Sequence, residues 1–269
     1  YVNWLTACIS HTDSKILIMD MRDGLTKEQL KLIKKKTGIK VVTIDDPEDK
    51  RLEADLAFYP PVPQLEKLNW DGFEGELYVG WEYVLLRKEF LKQYPKPKNS
   101  IPNILVSMGA TDGKNMTEFV INSLDRIIEK FKVTIIVGSG YPYLKNLKKT
   151  LEEVHFEFEL LQNPKDIAKI MSQSDFSIIS FGQTAYELAA LKVPTIFLCL
   201  SHDHNESSKL FINEGIGVSM GEYSKLSKQK FIKSVQFHLK EQNKVKEMSN
   251  LAGLLTISDL NKISLLILG

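Results

Sequence analysis

The strongest constraint on the fold is an alternation. Short, nearly continuous apolar runs recur along the chain: "KILIMD" (15–20), "KVVTID" (40–45), "ELYVG" (76–80), "NILVSMG" (103–109), "VTIIVGS" (133–139), "FSIISFG" (176–182) and "PTIFLCL" (194–200). Runs of this length without a polar face suit strands buried on both sides of a parallel sheet. Between many of them lie helical patterns, "TKEQLKLIKKKTG", "NMTEFVINSLDRIIEKF", "YLKNLKKTLEE" and "PKDIAKIMSQS", the last with its proline at the first helical position. Repeated strand, helix, strand units predict an α/β chain built on doubly wound parallel sheets.

One stretch breaks the rhythm. "KQYPKPKNSIPN" (92–103) carries three prolines and three lysines without an apolar pattern and reads as an interdomain linker. The expected domains are residues 1–92, an N-terminal α/β unit; 102–222, a C-terminal nucleotide-binding unit; and 223–269, C-terminal helices packing back. At 269 residues and 43% hydrophobic composition the chain has enough apolar material for two cores. Tyr1 leads directly into the helix-like "VNWLTACI" with no strand before it, and an upstream segment is expected.

Charge and composition exclude several classes. Lys and Arg total 35 against 34 Asp and Glu, and no aromatic residues interleave with the basic clusters, so no nucleic-acid partner is expected. No run approaches a membrane span and no leader pattern opens the chain, which points to the cytoplasm. Cys8 and Cys199 each sit in or beside an apolar run and read as small core residues. Trp4, Trp70 and Trp81 read as packing residues. His11, His155 and His238 read as surface or internally satisfied residues.

In doubly wound sheets ligands sit beyond the carboxyl ends of the strands. Three such ends carry chemistry. In "SMGATDGKN" the chain turns at Gly109, with Thr111 and Asp112 in the turn, and the following helix start offers N–H groups to a phosphate. Only three residues separate Gly109 from Gly113, and Asn115 follows Lys114, so this is not a P-loop. An ordinary turn with Asp112 or Asn115 as helix cap is the competing reading. In "SFGQTAYELAALKVPTIFL", Gly182 permits close approach, Gln183 and Thr184 open a helix, and Ala185, Leu188, Ala189 and Leu191 form its buried stripe. Glu187 then lies on another face. It is either a solvated residue compatible with the helix dipole or, beside a pyrophosphate, an acceptor for a ribose diol. In "LSHDHNESSKLFINEGIG" a polar loop with Asp203, His204 and Asn205 is expected to line a cleft. His202 and His204, two residues apart, make a poor ligand pair, so no metal and no cofactor are expected.

The order "SMGATD", "SFGQTAYELAALKVPTIFL", "HDHNESSKLFINEGIG", together with "KILIMD", "VVTIDD" and "YVGWEYVLLRKEF", resembles the PseG/SpsG-type UDP-sugar hydrolases, relatives of MurG with GT-B architecture, over nearly all of residues 1–222. The resemblance implies two Rossmann-like domains with a UDP-sugar in their cleft, and cleavage between sugar C1 and UDP in the synthesis of nonulosonic acids such as pseudaminic acid. Glu187 matches the family's ribose-binding Glu, and Gly109 and the Gly182–Thr184 turn match its nucleotide loops. The family's Gly-Leu-Gly-His loop occurs nowhere in the sequence, so the N-terminal Rossmann half reads as partial and no catalytic residue is named. The family's Asp-His-Tyr-Gly is here Asp20, Met21, Arg22, Asp23, Gly24, which makes Asp20 and Arg22 cleft-lining candidates, and its Asn-Gln pair falls near Asp203 and His204. The expected function is a UDP-sugar hydrolase with UDP-sugar or UDP as ligand. A MurG-like glycosyltransferase and a non-catalytic UDP-sugar-binding module are the alternatives.

Overall fold

The structure is a computed structural model describing residues 1–21, 24–96 and 101–269. The chain divides into two compact units, Tyr1–Leu85 with Thr256–Gly269, and Leu86–Leu255. The division falls earlier than the Pro/Lys stretch at 92–103 suggests, and for a physical reason. The short 3-10 helix Lys88–Leu91 buries Phe90 completely, and Gln173 Nε2 donates to Pro95 O at 3.3 Å. Residues 86–96 therefore belong to the second unit. Residues 97–100, the centre of the expected linker, lie outside the described residues.

The first unit opens with α1 (Val2–Thr12), followed by β1 (Ile16–Met19), α2 (Lys27–Thr37), β2 (Lys40–Ile44), β3 (Leu56–Tyr59) and β4 (Glu76–Val79). The strands form one sheet in the order β1-β2-β3-β4, with every pairing parallel. Local chemistry sets α2. Thr26 and Gln29 form a reciprocal capping box, Gly38 closes the helix at φ 68°, and Leu30 and Ile33 are buried. Lys34 pairs with Asp55 at 2.9 Å while the second Asp55 oxygen accepts from Val41 N at 2.6 Å, tying helix to sheet. The α1 face that packs inward carries Ile9 with Val2 and Leu5. Trp4 falls on the opposite side and is 67% exposed, so it is not the packing residue its size suggested.

The second unit contains β5 (Asn103–Ser107), α3 (Met116–Leu124), β6 (Lys132–Val137), α4 (Leu144–Glu152), β7 (Glu157–Gln162), α5 (Ile167–Ser172), β8 (Phe176–Ser180), α6 (Gln183–Ala190), β9 (Thr195–Cys199), α7 (His202–Asn213), β10 (Gly217–Glu222), α8 (Lys228–Lys240) and α9 (Gln242–Ala252). Its six strands run in the order β10-β9-β8-β5-β6-β7, all pairs parallel. Read from β7, this is the 3-2-1-4-5-6 order of a Rossmann sheet. β5, β8 and β9 are buried along their whole length.

The tail divides between the units. α8 and α9 belong to the second, with Phe231 and Val235 in its core, whereas α10 (Leu260–Leu268) belongs to the first and places Ile263 and Ile267 against Val42, Leu56 and Phe58. Residues 223–269 are thus not one helical group. Two other local readings change. α5 begins at Ile167, so Pro164 precedes the helix instead of opening it. α3 ends at Leu124, well short of Phe131.

Candidate functional site

The direction of winding reverses between β5 and β8. From β5 the chain moves outward through β6 and β7; it then returns to β8 and moves the other way through β9 and β10. Ligands of open α/β sheets bind outside the carboxyl ends of the strands at such a switch point, where two loops diverge and leave a crevice. Ser107 lies opposite Ile179 in this pairing, so the loops that diverge are the ones beginning near Gly109 and Gly182.

Gly109 adopts φ 84°, a conformation that favours glycine, and a Cβ placed on it would lie 3.8 Å from Ser180 Oγ. The two loops therefore start side by side. The 109–115 loop is braced from its other flank. A Cβ on Gly138 would run into Ala110 O, so the backbone after β6 passes directly against this turn. Tyr141 donates to Asn115 Oδ1 at 2.9 Å, and Tyr143 to Gly113 O at 3.5 Å.

Within this loop the expected residues part company. Thr111 is exposed. Asp112 is buried, and its carboxylate accepts from Met116 N and Thr117 N at 2.8 Å each. It caps α3 and fills that helix start, so those N–H groups are not open to a phosphate. Asp112 is therefore placed as the helix cap, and Gly109 and Thr111 are what this loop presents outward.

The start of α6 differs. Among the described residues Gly182 precedes it without a side-chain cap, and a Cβ on Gly182 would meet none of them within 4 Å. Ala185, Leu188, Ala189 and Leu191 are buried as the spacing implied, and Tyr186 joins them. Glu187 is not a solvated residue: its side chain is 13% exposed, with Oε1 3.7 Å from Nη2 of Arg87. Burial pushes its carboxyl above the usual carboxylate range, Arg87 partly offsets this, and Glu89 adds to the rise. The stretches "GWEYVLLRKEF" and "SFGQTAYELAALKVPTIFL" lie about a hundred residues apart in the chain. The pairing of Arg87 with Glu187 joins them, and no local pattern revealed it.

The third segment is helical from His202, not a loop, because Ser201 Oγ accepts from His204 N and caps α7. Residues two apart on a helix face different ways, which separates His202 from His204. Among the described residues no group of three or more His, Cys, Asp or Glu is placed to hold a metal. The His204 ring lies 5.9 Å from Phe181 at the end of β8. Asn205 accepts from Ser219 Oγ at 3.2 Å, and Asp203 is exposed. In the first unit Asp20 is exposed just past β1; Arg22 lies outside the described residues.

These features define a class. Two parallel α/β sheets, one wound in Rossmann order with paired loops at its switch point, give the fold of the GT-B glycosyltransferases, and MurG of Acinetobacter baumannii superimposes with a TM-score of 0.71 at 16% identity, covering 99% of this chain and 77% of that one. By sequence the chain is similar to the spore coat polysaccharide biosynthesis protein SpsG of Bacillus subtilis, 23% identical over 77% of this chain and 62% of that protein. It is also similar to the UDP-2,4-diacetamido-2,4,6-trideoxy-beta-L-altropyranose hydrolase of Campylobacter jejuni, 28% identical over 76% of this chain and 73% of that protein. The chain thus spans about two thirds of these relatives. No protein-family model matches it. No helix among the described residues is long and apolar enough to cross a membrane.

Proposed function

We propose that this chain is a UDP-sugar hydrolase of surface-polysaccharide or nonulosonic acid biosynthesis, with its nucleotide held at the β5/β8 switch point of the second unit. The observation that carries the proposal is Glu187, a largely buried carboxylate one turn into a helix whose start, among the described residues, has no side-chain cap. A ribose diol supplies two hydroxyl donors to such a carboxylate, and a diphosphate suits the N–H groups of Gln183 and Thr184 and the turn at Gly109. The similarity to a named UDP-sugar hydrolase supports the same reading.

In the proposed reaction a water oxygen forms the new bond to the anomeric carbon, the bond from that carbon to the UDP oxygen breaks, and the water proton is released. UDP leaves with an added negative charge on its terminal phosphate. The α6 start contributes fixed partial positive charge where that charge develops, and its donors need no reorientation during the step.

The test is UDP release from UDP-2,4-diacetamido-2,4,6-trideoxy-beta-L-altropyranose, with UDP-N-acetylglucosamine as the second substrate. Release of UDP with an equal amount of free sugar, in water alone, is expected. Release only when a sugar acceptor is added would make the chain a transferase. Neither release nor measurable UDP binding would overturn the proposal.

A further inference from the structure

Arg87 is held in place by more than Glu187. Its guanidinium pairs with Glu89 at 2.9 Å and stacks over the Phe90 ring at 4.9 Å, and Phe90 is itself fully buried. The cation is therefore anchored by its own segment and reaches α6 from a fixed base. It is 63% exposed, whereas the carboxylate it approaches is 13% exposed. At 3.7 Å the contact is an ion pair without a tight hydrogen bond, so the Glu187 oxygens are not consumed by it.

We propose that Arg87 is a positioning residue for Glu187, holding the largely buried side chain in the charged form that accepts the two hydroxyls of a ribose. This rests on the reading of Glu187 as the ribose acceptor. The physical need is plain. A carboxylate withdrawn from water tends toward its neutral acid, and a neutral acid offers one oxygen as donor where a diol requires acceptors. A cation within about 4–6 Å counters that tendency. The groups that face Glu187 are Arg87, which favours the charge, Glu89, which opposes it from the same segment, and the Thr184 hydroxyl on its own helix. Because Glu89 draws on the same guanidinium, the balance is narrow and Arg87 is the only favourable charge among these groups.

The sign follows. UDP binding needs ionised Glu187, so affinity falls as pH drops through the Glu187 midpoint. Removal of Arg87 moves that midpoint upward. The test is calorimetry with UDP from pH 5 to 8 on wild type, Arg87→Gln, Arg87→Lys, Glu187→Gln and the Arg87→Gln/Glu187→Gln double variant. A side-chain carboxyl titration of Glu187 by 13C NMR without nucleotide runs in parallel. Arg87→Gln should raise the midpoint by roughly one pH unit or less, since the cation is partly solvated, and weaken UDP up to about tenfold at a pH below the new midpoint. Arg87→Lys should recover most of both changes. In the Glu187→Gln background the Arg87 change should leave affinity and its pH profile unaltered. An unchanged NMR midpoint in Arg87→Gln overturns the proposal whether or not UDP binds. Equal weakening in both backgrounds also overturns it, because Arg87 would then act on the nucleotide itself. A wild type that binds no UDP while the NMR midpoint does shift would instead defeat the nucleotide reading, and with it the ribose role.

Discussion

Replacing Glu187 with Gln removes one charge and almost nothing else. The two side chains are nearly the same size and both favour helices, so α6 and its buried stripe of Ala185, Leu188 and Ala189 should persist. Arg87 keeps its contact with Glu89 and is mostly exposed, so its loss of a partner costs the fold little. What changes is the acceptor. A hydrogen bond to a charged group contributes roughly 1.5–3 kcal/mol, or about 10- to 150-fold in affinity. The 13% exposure of Glu187 places it toward the upper part of that range, because little water competes for the carboxylate. Calorimetry with UDP and with 2′,3′-dideoxy-UDP isolates the effect. The variant should lose at least tenfold for UDP and little for the analogue, whose diol is absent. Equal UDP affinities for wild type and variant would refute the assignment, and so would equal losses for UDP and the dideoxy analogue.

Two further outcomes follow from the second unit. Asp112→Ala strands the buried Met116 and Thr117 N–H groups and places alanine at φ 40°, so it should lower stability by about 1–2 kcal/mol in urea unfolding, while Asp112→Asn, which tolerates that φ and still caps, should lose less. His238 is 3% exposed, donates from Nδ1 to Ser234 O at 2.7 Å, and burial holds its pKa below the usual value of 6.5. The unfolded chain therefore takes up its proton first, and the His238 contribution to stability, complete above 6.5, should decline as pH falls through the folded value, with a slope of at most about 1.4 kcal/mol per pH unit; denaturation of His238→Gln should show that slope removed.

Much was legible because it is local. The apolar runs at β2, β5, β6, β8 and β9 mark themselves, since a strand covered on both faces must be apolar throughout; β1 and β4 are as apolar but are edge strands that leave Ile18, Leu77 and Val79 exposed, so their runs are not buried on both faces. The cap at Thr26, the Gly38 stop and the inward stripe of α6 are likewise set within a turn or two of chain. The strands that the sequence hid are those whose surroundings differ. β7 lies at the edge of its sheet and keeps Glu157 and Glu159 exposed, β3 is four residues beside a proline-rich turn, and β10 is interrupted by a register shift between Ser219 and Glu222.

The candidate site divides along the same line. That glycine-opened turns follow β5 and β8, and that Glu187 sits off the buried face of its helix, are consequences of residue order and helical period alone. That those two turns start side by side depends on β8 returning to pair with β5 after two intervening strands, a long-range choice no window of sequence contains. The same holds for the burial of Glu187 and for its cation: Arg87 lies a hundred residues earlier, and only packing of the Lys88–Leu91 turn on α6 brings the charges within 3.7 Å. Asp112 shows the converse, since a loop carboxylate can face a ligand or its own helix, and tertiary bracing by Gly138 and Tyr141 selects the helix. Sequence periodicity decides which way a side chain faces along its own element; electrostatic environment and partnership arise between elements, so the chemistry of Glu187 was settled only when the chain folded.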